Sequence, residues 1–125
     1  MNDIKFKYLV KRQNGHVFSQ VFTLNKIENG DANDWLKVNF VDRHTLHQLQ
    51  YTGIKDKNGR EGYRSDLVKH DTAIYQIAWQ DFDAGFYMLH VAGTGWTDGL
   101  PIHNLVDSII IGNAYENPEL LEKDR

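Results

Sequence analysis

Six histidines, His16, His44, His47, His70, His90 and His103, are the side chains here best suited to metal ligation or proton transfer near neutral pH. His44 and His47 stand three apart with Asp42 beside them, a spacing that one helix face could gather. A zinc-binding helix instead uses histidines at i and i+4 with glutamate between, and no third ligand is identifiable, so surface or capping roles are favoured. Asp81 and Asp83 with Asp71, or Glu116 with Glu119, could pair for acid–base work or a hard cation. These acids fall in expected turns and a helix start, where acids serve local structure. Thr94, Thr97 and Ser108 offer hydroxyls, but none sits in a Gly-x-Ser-x-Gly elbow. The glycines at 93, 95 and 99 lack the lysine and following helix of a phosphate loop.

The stretch LQYTGIKDKNGREGYRSDLVKH, residues 49–70, gathers charge and glycine. Asp56-Lys57-Asn58-Gly59 resembles a calcium loop, yet its glycine comes fourth rather than sixth and the closing glutamate is missing. A tight turn with Gly59 at positive φ is the simpler reading. Lys55, Lys57, Arg60, Arg64 and Lys69 form a basic cluster near Tyr51 and Tyr63, the make-up of a single-strand nucleic-acid groove, though a solvated face is the favoured reading. Trp96, in the glycine loop, is a candidate partner anchor or a lid over the core.

The elements that must position these groups are mostly strands. Ile4 to Val10 alternates apolar and basic residues, Asn14-Gly15 is the strongest two-residue hairpin signal, and Val17, Phe18, Val21, Phe22 and Leu24 return. Glu28 to Asp34 reads as a polar turn and Trp35 to Phe40 as a strand. Asp42 to Leu49 is ambiguous, with a short helical turn capped by Asp42 as one option. Ala73 to Trp79 and Phe86 to Val91 are strands joined by the turn at 80–85. Gly93 to Pro101 is a loop, Val106 to Ile111 an apolar strand, and Asn117-Pro118-Glu119 the start of a short helix. The architecture is mainly β, as a barrel or sandwich.

Tyr51-Thr52-Gly53-Ile54-Lys55-Asp56-Lys57-Asn58-Gly59-Arg60-Glu61 and Ile111-Gly112-Asn113-Ala114-Tyr115-Glu116-Asn117-Pro118-Glu119-Leu120-Leu121 closely resemble the two signatures of the YopX-like bacteriophage and prophage proteins. Ile4-Lys5-Phe6 and the segment from Trp79 to Gly85-Phe86 are similar to that family too. Its usual Ile-Tyr-Glu-Gly-Asp-Ile-Val reads here Gly62-Tyr63-Arg64-Ser65-Asp66-Leu67-Val68, with serine where the family has glycine. Serine disfavours positive φ, so the turn before Asp66 is expected either to differ or to carry strain. The resemblance implies one YopX-like domain over 1–125. Within it a β-hairpin region over 1–48 and a short C-terminal helix are expected from the residues, and an SH3-like small barrel in 49–125 is what the resemblance implies. It also implies a phage or prophage gene product and names no activity.

At 125 residues the chain fits one domain burying roughly two-thirds of its unfolded surface. With no cysteine it has neither disulfides nor thiolate metal sites, which suits a reducing host cytoplasm. No apolar run matches a membrane helix or a signal peptide, so no membrane partner is expected. Residues 1–70 hold 12 Lys/Arg against 8 Asp/Glu, a net of +4, while 71–125 hold 2 against 9, a net of −7. Such a split suits self-association or docking on a host or phage protein, and equally a basic half for nucleic acid, while mutual neutralisation of the two halves inside one fold is as well supported as any partner reading. The expectation is a non-catalytic accessory protein without a cofactor. A nucleic-acid-binding module is the alternative, and a metal-dependent enzyme ranks third.

Overall fold

The computed structural model describes residues 4–40, 44–81, 84–94 and 98–121. The chain is mainly β and divides into two compact units, Met1–Tyr51 and Thr52–Arg125.

In the first unit the alternating start forms β1 (Lys5–Lys11), antiparallel to β2 (Val17–Thr23) from Lys5↔Thr23 through Lys11↔Val17. The Asn14-Gly15 turn lies where the sequence puts it, but the loop has three residues rather than two. Arg12 N–H donates to His16 O at 2.8 Å, Gly15 N–H donates to Arg12 O at 2.9 Å, and Gly15 takes φ +91°. A left-handed glycine closing a three-residue loop is the next commonest hairpin solution. β3 (Thr45–Lys55) pairs with the other side of β1, from Phe6↔Gln50 to Lys11↔Thr45, which leaves β2 at the edge.

The segment expected as a turn and a strand is helical instead. Thr23 caps α1 (Leu24–Glu28), its hydroxyl accepting from Lys26 N–H at 3.4 Å, so Leu24 opens a helix and does not end the strand. Gly30, at φ +97°, precedes α2 (Asp31–Asn39), whose first turn carries Asp31 and Asp34 against the positive end of the helix dipole. The short apolar run 35–40 is compatible with two periods, and packing selects the helical one. Ala32, Trp35 and Leu36 join Tyr8 and Phe22 in one cluster, while Val38 is left 79% exposed. Residues 45–49 are extended rather than helical, which puts Leu46 and Leu49 on opposite faces of β3. Asp42, the expected cap, lies outside the described residues.

In the second unit β3 runs on to pair with β4 (Glu61–Tyr63) around the turn at Asp56–Gly59. The strands β5 (Asp66–His70), β6 (Ala73–Gln80), β7 (Gly85–Gly93), β8 (Leu100–Pro101) and β9 (Ile109–Asn113) form one antiparallel sheet in the order β8-β7-β6-β5-β9. Val68, Ala73, Tyr75, Ile77, Met88, Leu105 and Ile110 make its core. Gly62 is held by close approach, since a Cβ there would run into Leu105.

Two departures from expectation stand out. The strand expected from Val106 starts later, because Ile102–Asp107 is a 3-10 helix that drops Leu105 into the core and ends where Ser108 N–H donates to Leu105 O at 2.9 Å. Among the described residues both sheets are open, one ending on β2 and β4 and the other on β8 and β9, and no closed barrel forms. The short C-terminal helix is present as a 3-10 turn, Pro118–Leu121.

Candidate functional site

The 56–66 stretch and the 111–119 stretch fold into one connected set of hydrogen bonds. Asp56 is 6% exposed. Its Oδ1 accepts from Asn58 N–H at 2.9 Å and Arg60 N–H at 2.8 Å, and its Oδ2 accepts from Ile110 N–H at 2.9 Å. Lys57 N–H donates to Ser108 O at 2.9 Å, so the turn is fastened to the start of β9 twice. The acid at the head of the calcium-like tetrad thus binds the backbone donors of its own turn and of β9.

Asp66 repeats the device seven residues after the turn. Its Oδ2 accepts from Tyr63 N–H at 2.8 Å and its Oδ1 from Asn113 Nδ2 at 3.1 Å. Asn113 Oδ1 accepts from Tyr115 N–H at 2.9 Å, and Asn117 Oδ1 accepts from Asn113 N–H at 3.1 Å. Asn117 stands just before the C-terminal 3-10 turn, its C=O accepting from Leu120 N–H at 3.1 Å, while its side chain turns back toward β9. A Cβ at Gly112 would strike the Asn117 side chain, which explains glycine there. Ser65 adopts φ +75°, keeping a left-handed turn without glycine, and its N–H and C=O are bonded to Ile77 O and Ala114 N–H at 2.8 and 2.9 Å.

A Ser–His contact that sequence reasoning missed joins residues 38 apart: His70 Nδ1 lies 2.9 Å from Ser108 Oγ. Ser108 Oγ donates its single proton to Asn104 O at 2.8 Å, so His70 Nδ1 is the donor to Oγ. A base that activates a serine needs the opposite direction, and Ser108 is only 1% exposed. His70 holds the serine that ends the 3-10 helix. Only the shared β5–β9 pairing, invisible in spacing, brings these residues together.

The remaining histidines are dispersed. His16 stacks on Phe18 at 6.2 Å, His44 meets Phe40 edge-on at 6.2 Å, and His90 packs against Tyr75 at 5.5 Å with Nε2 2.9 Å from Gly93 O. His47 lies on β3, and burial, with Lys11 adding to it, holds its pKa below the usual histidine value. Among the described residues no three histidines or acids gather as a metal site. Asp71 sits in the β5–β6 turn at φ +57°, Asp81, Glu116 and Glu119 are exposed, and Thr94 Oγ1 lies 2.8 Å from Thr72 Oγ1. Asp83, Trp96 and Thr97 fall outside the described residues. Lys55, Lys57, Arg60, Arg64 and Lys69 are all exposed on the second unit. Lys57 bonds Ser108 through its backbone and Lys69 pairs with Ile109, so these two flank the start of β9, beside exposed Asp107.

A cleft of about 380 Å³ in the second unit is lined by Gln80, Phe86, Tyr87, Asp98, Leu100 and His103 among others. Trp79 meets Phe86 edge-on at 5.1 Å and is 38% exposed. No helix of the described residues is long and apolar enough to cross a membrane.

Open antiparallel sheets in two units, with buried acids and amides tying one signature stretch to the other, define a mainly β protein whose most distinctive polar residues work as internal fasteners. The chain belongs to the YopX protein family, whose model matches residues 5–122. A similar solved structure is that of protein EF1440 from Enterococcus faecalis, at 23% identity, with 91% of this chain and 74% of that chain covered and a TM-score of 0.46. No curated protein matches the chain.

Proposed function

We propose that this chain is a non-catalytic accessory protein of a phage or prophage, acting in the host cytoplasm by holding protein partners, another copy of itself among them. The observation that carries this reading is the occupation of Asp56 and Asp66. Each carboxylate accepts on both oxygens from groups of its own chain, so the signature serves to build a surface and the work is done by that surface. The net charges of +4 and −7 on residues 1–70 and 71–125 supply opposite potentials for partner contact. The second unit is read here as an opened relative of a small SH3-like barrel, a scaffold that commonly presents edges and loops to partners.

Light-scattering mass at low and high salt, with affinity capture from host cells, tests the reading. A concentration-dependent mass at low or high salt, or recovery of a stoichiometric protein partner, is the expected result. A monomer at every ionic strength that captures no protein overturns it.

The exposure of all five cations from Lys55 to Lys69 favours one second reading, binding of single-stranded nucleic acid. It requires affinity that falls steeply with salt and that drops when Lys55, Lys57 and Arg60 are replaced. No binding to DNA or RNA at low salt removes it.

A further inference from the structure

The described edge strands are not alike. β4 has three residues, β8 has two and ends on Pro101, and β9 faces a register shift in its ladder with β5. Shortness, proline and a bulge are the usual means by which a sheet edge is kept from pairing with another chain. β2 carries none of them: Val17-Phe18-Ser19-Gln20-Val21-Phe22-Thr23 is seven residues long, unbroken in register, and free of charge, proline and glycine.

Its bonding direction follows from its two ends. Arg12 N–H donates to His16 O at 2.8 Å and Leu24 N–H donates to Ile4 O at 2.9 Å. Bonded pairs alternate along an antiparallel ladder, so Phe18, Gln20 and Phe22 turn their backbone groups toward β1. Val17, Ser19, Val21 and Thr23 turn theirs outward. Ser19, Gln20 and Val21 are exposed, which places the open stretch at the middle of the strand.

We infer that β2 is a self-association edge, on which β2 of a second copy pairs antiparallel about a two-fold axis at Gln20. This deepens the proposed partner-holding function and rests on it. The occupant follows from the strand's chemistry. About that axis Ser19 faces Val21 of the other copy and the reverse, and each such pair exchanges two backbone bonds between groups that already point outward. Gln20 meets its own copy, and a carboxamide both donates and accepts, so it pairs with itself. Across 17–23 there is no charge for a like charge to meet, whereas a partner chosen by charge would find nothing to read.

Three substitutions test this in the full-length chain. Ser19→Pro removes an outward N–H and leaves the bonds to β1 intact, so the protein should keep its melting temperature within a few degrees and lose its dimer mass. Gln20→Lys should likewise yield monomers, with dimer recovered as salt is raised. Since the chain has no cysteine, Gln20→Cys should form a covalent dimer quickly under mild oxidation, because facing residues at a non-bonded antiparallel site lie within disulfide reach. Asn58→Cys, on an exposed turn outside β2, should not. A wild-type monomer at the highest soluble concentration overturns the inference while leaving capture of other proteins as the function. Self-association that survives Ser19→Pro, without rapid cross-linking of Gln20→Cys, overturns the edge and leaves the partner-holding function standing. Loss of capture of a different protein by Ser19→Pro, from a monomeric wild type, replaces the second copy with that protein.

Discussion

Asp56 Oδ2 accepts the backbone N–H of Ile110 at 2.9 Å across 54 residues of sequence. The same carboxylate closes the Asp56–Arg60 turn through Oδ1, so one buried side chain decides both a local bend and the docking of β9. Hydrogen bonds to a charged acceptor stabilise by more than neutral ones, and a buried N–H left without its acceptor is costly.

Asp56→Ala should therefore destabilise the protein by about 3 kcal/mol, since three backbone donors lose their acceptor at once. Asp56→Asn should cost somewhat less, about 2 kcal/mol, because its single oxygen serves the turn or Ile110 but not both. Urea unfolding followed by tryptophan fluorescence reads both. An unchanged midpoint for Asp56→Ala removes the fastener role.

Ser65 sits at φ +75° with both backbone groups bonded, so the surrounding strands impose a conformation that a Cβ resists. Ser65→Gly should raise stability by about 1 kcal/mol, the relief of strain exceeding the added freedom of the unfolded chain. Ser65→Ala should not share that gain, because the Cβ is kept. A Ser65→Gly protein that melts below wild type shows that the serine side chain matters more than its backbone.

Gly112 and Asn117 form a coupled pair, because a Cβ on the first meets the side chain of the second. Gly112→Ala should destabilise by about 2 kcal/mol through overpacking and displacement of the Asn113 N–H partner. Asn117→Ala also loses that acceptor, but it opens the space. The double variant should be more stable than the sum of the two losses predicts, by about 1 kcal/mol. Strict additivity in a thermodynamic cycle means that the two side chains do not compete for that space.

Strands with clean alternation or strong turn chemistry were legible from sequence. β1, the Asn14-Gly15 bend, the Asp56–Gly59 turn, β6 and β7 all stand near their expected places, because each is governed by residues within a few positions. α2 was not, since six residues of mixed polarity fit a strand as well as a helix until Tyr8 and Phe22 supply the surface that Trp35 and Leu36 pack on. The 3-10 helix at 102–107 hides for the same reason: Leu105 is a core residue in either period, and the choice depends on Ser108 ending the turn. At the candidate site the residue types were visible and the pairings were not. The turn at Asp56 is plain in Asp56-Lys57-Asn58-Gly59, but the bond from Ile110 N–H to Asp56 and the Asp66–Asn113 bond depend on which strands become neighbours. Edge status is a property of the whole sheet, so the uncharged run at 17–23 carries meaning only once β1 is seen to lie between β2 and β3.

His47 supplies a pH handle on the first unit. Burial, and then the charge of Lys11, disfavour its protonated form in the folded chain, whereas the unfolded chain titrates near the ordinary histidine value of about 6.5. The unfolded state therefore takes up the proton first as pH falls, and stability drops through and below that value, with the contribution fully present above it. The melting temperature should decline from about pH 7.5 to about pH 5.5, and His47→Gln should flatten that decline. Lys11→Gln should flatten it less, because desolvation is the larger cause and remains. If His47→Gln leaves the pH profile of the melting temperature unchanged, the imidazole is as readily protonated in the folded chain as in the unfolded one, and the slope belongs to other groups.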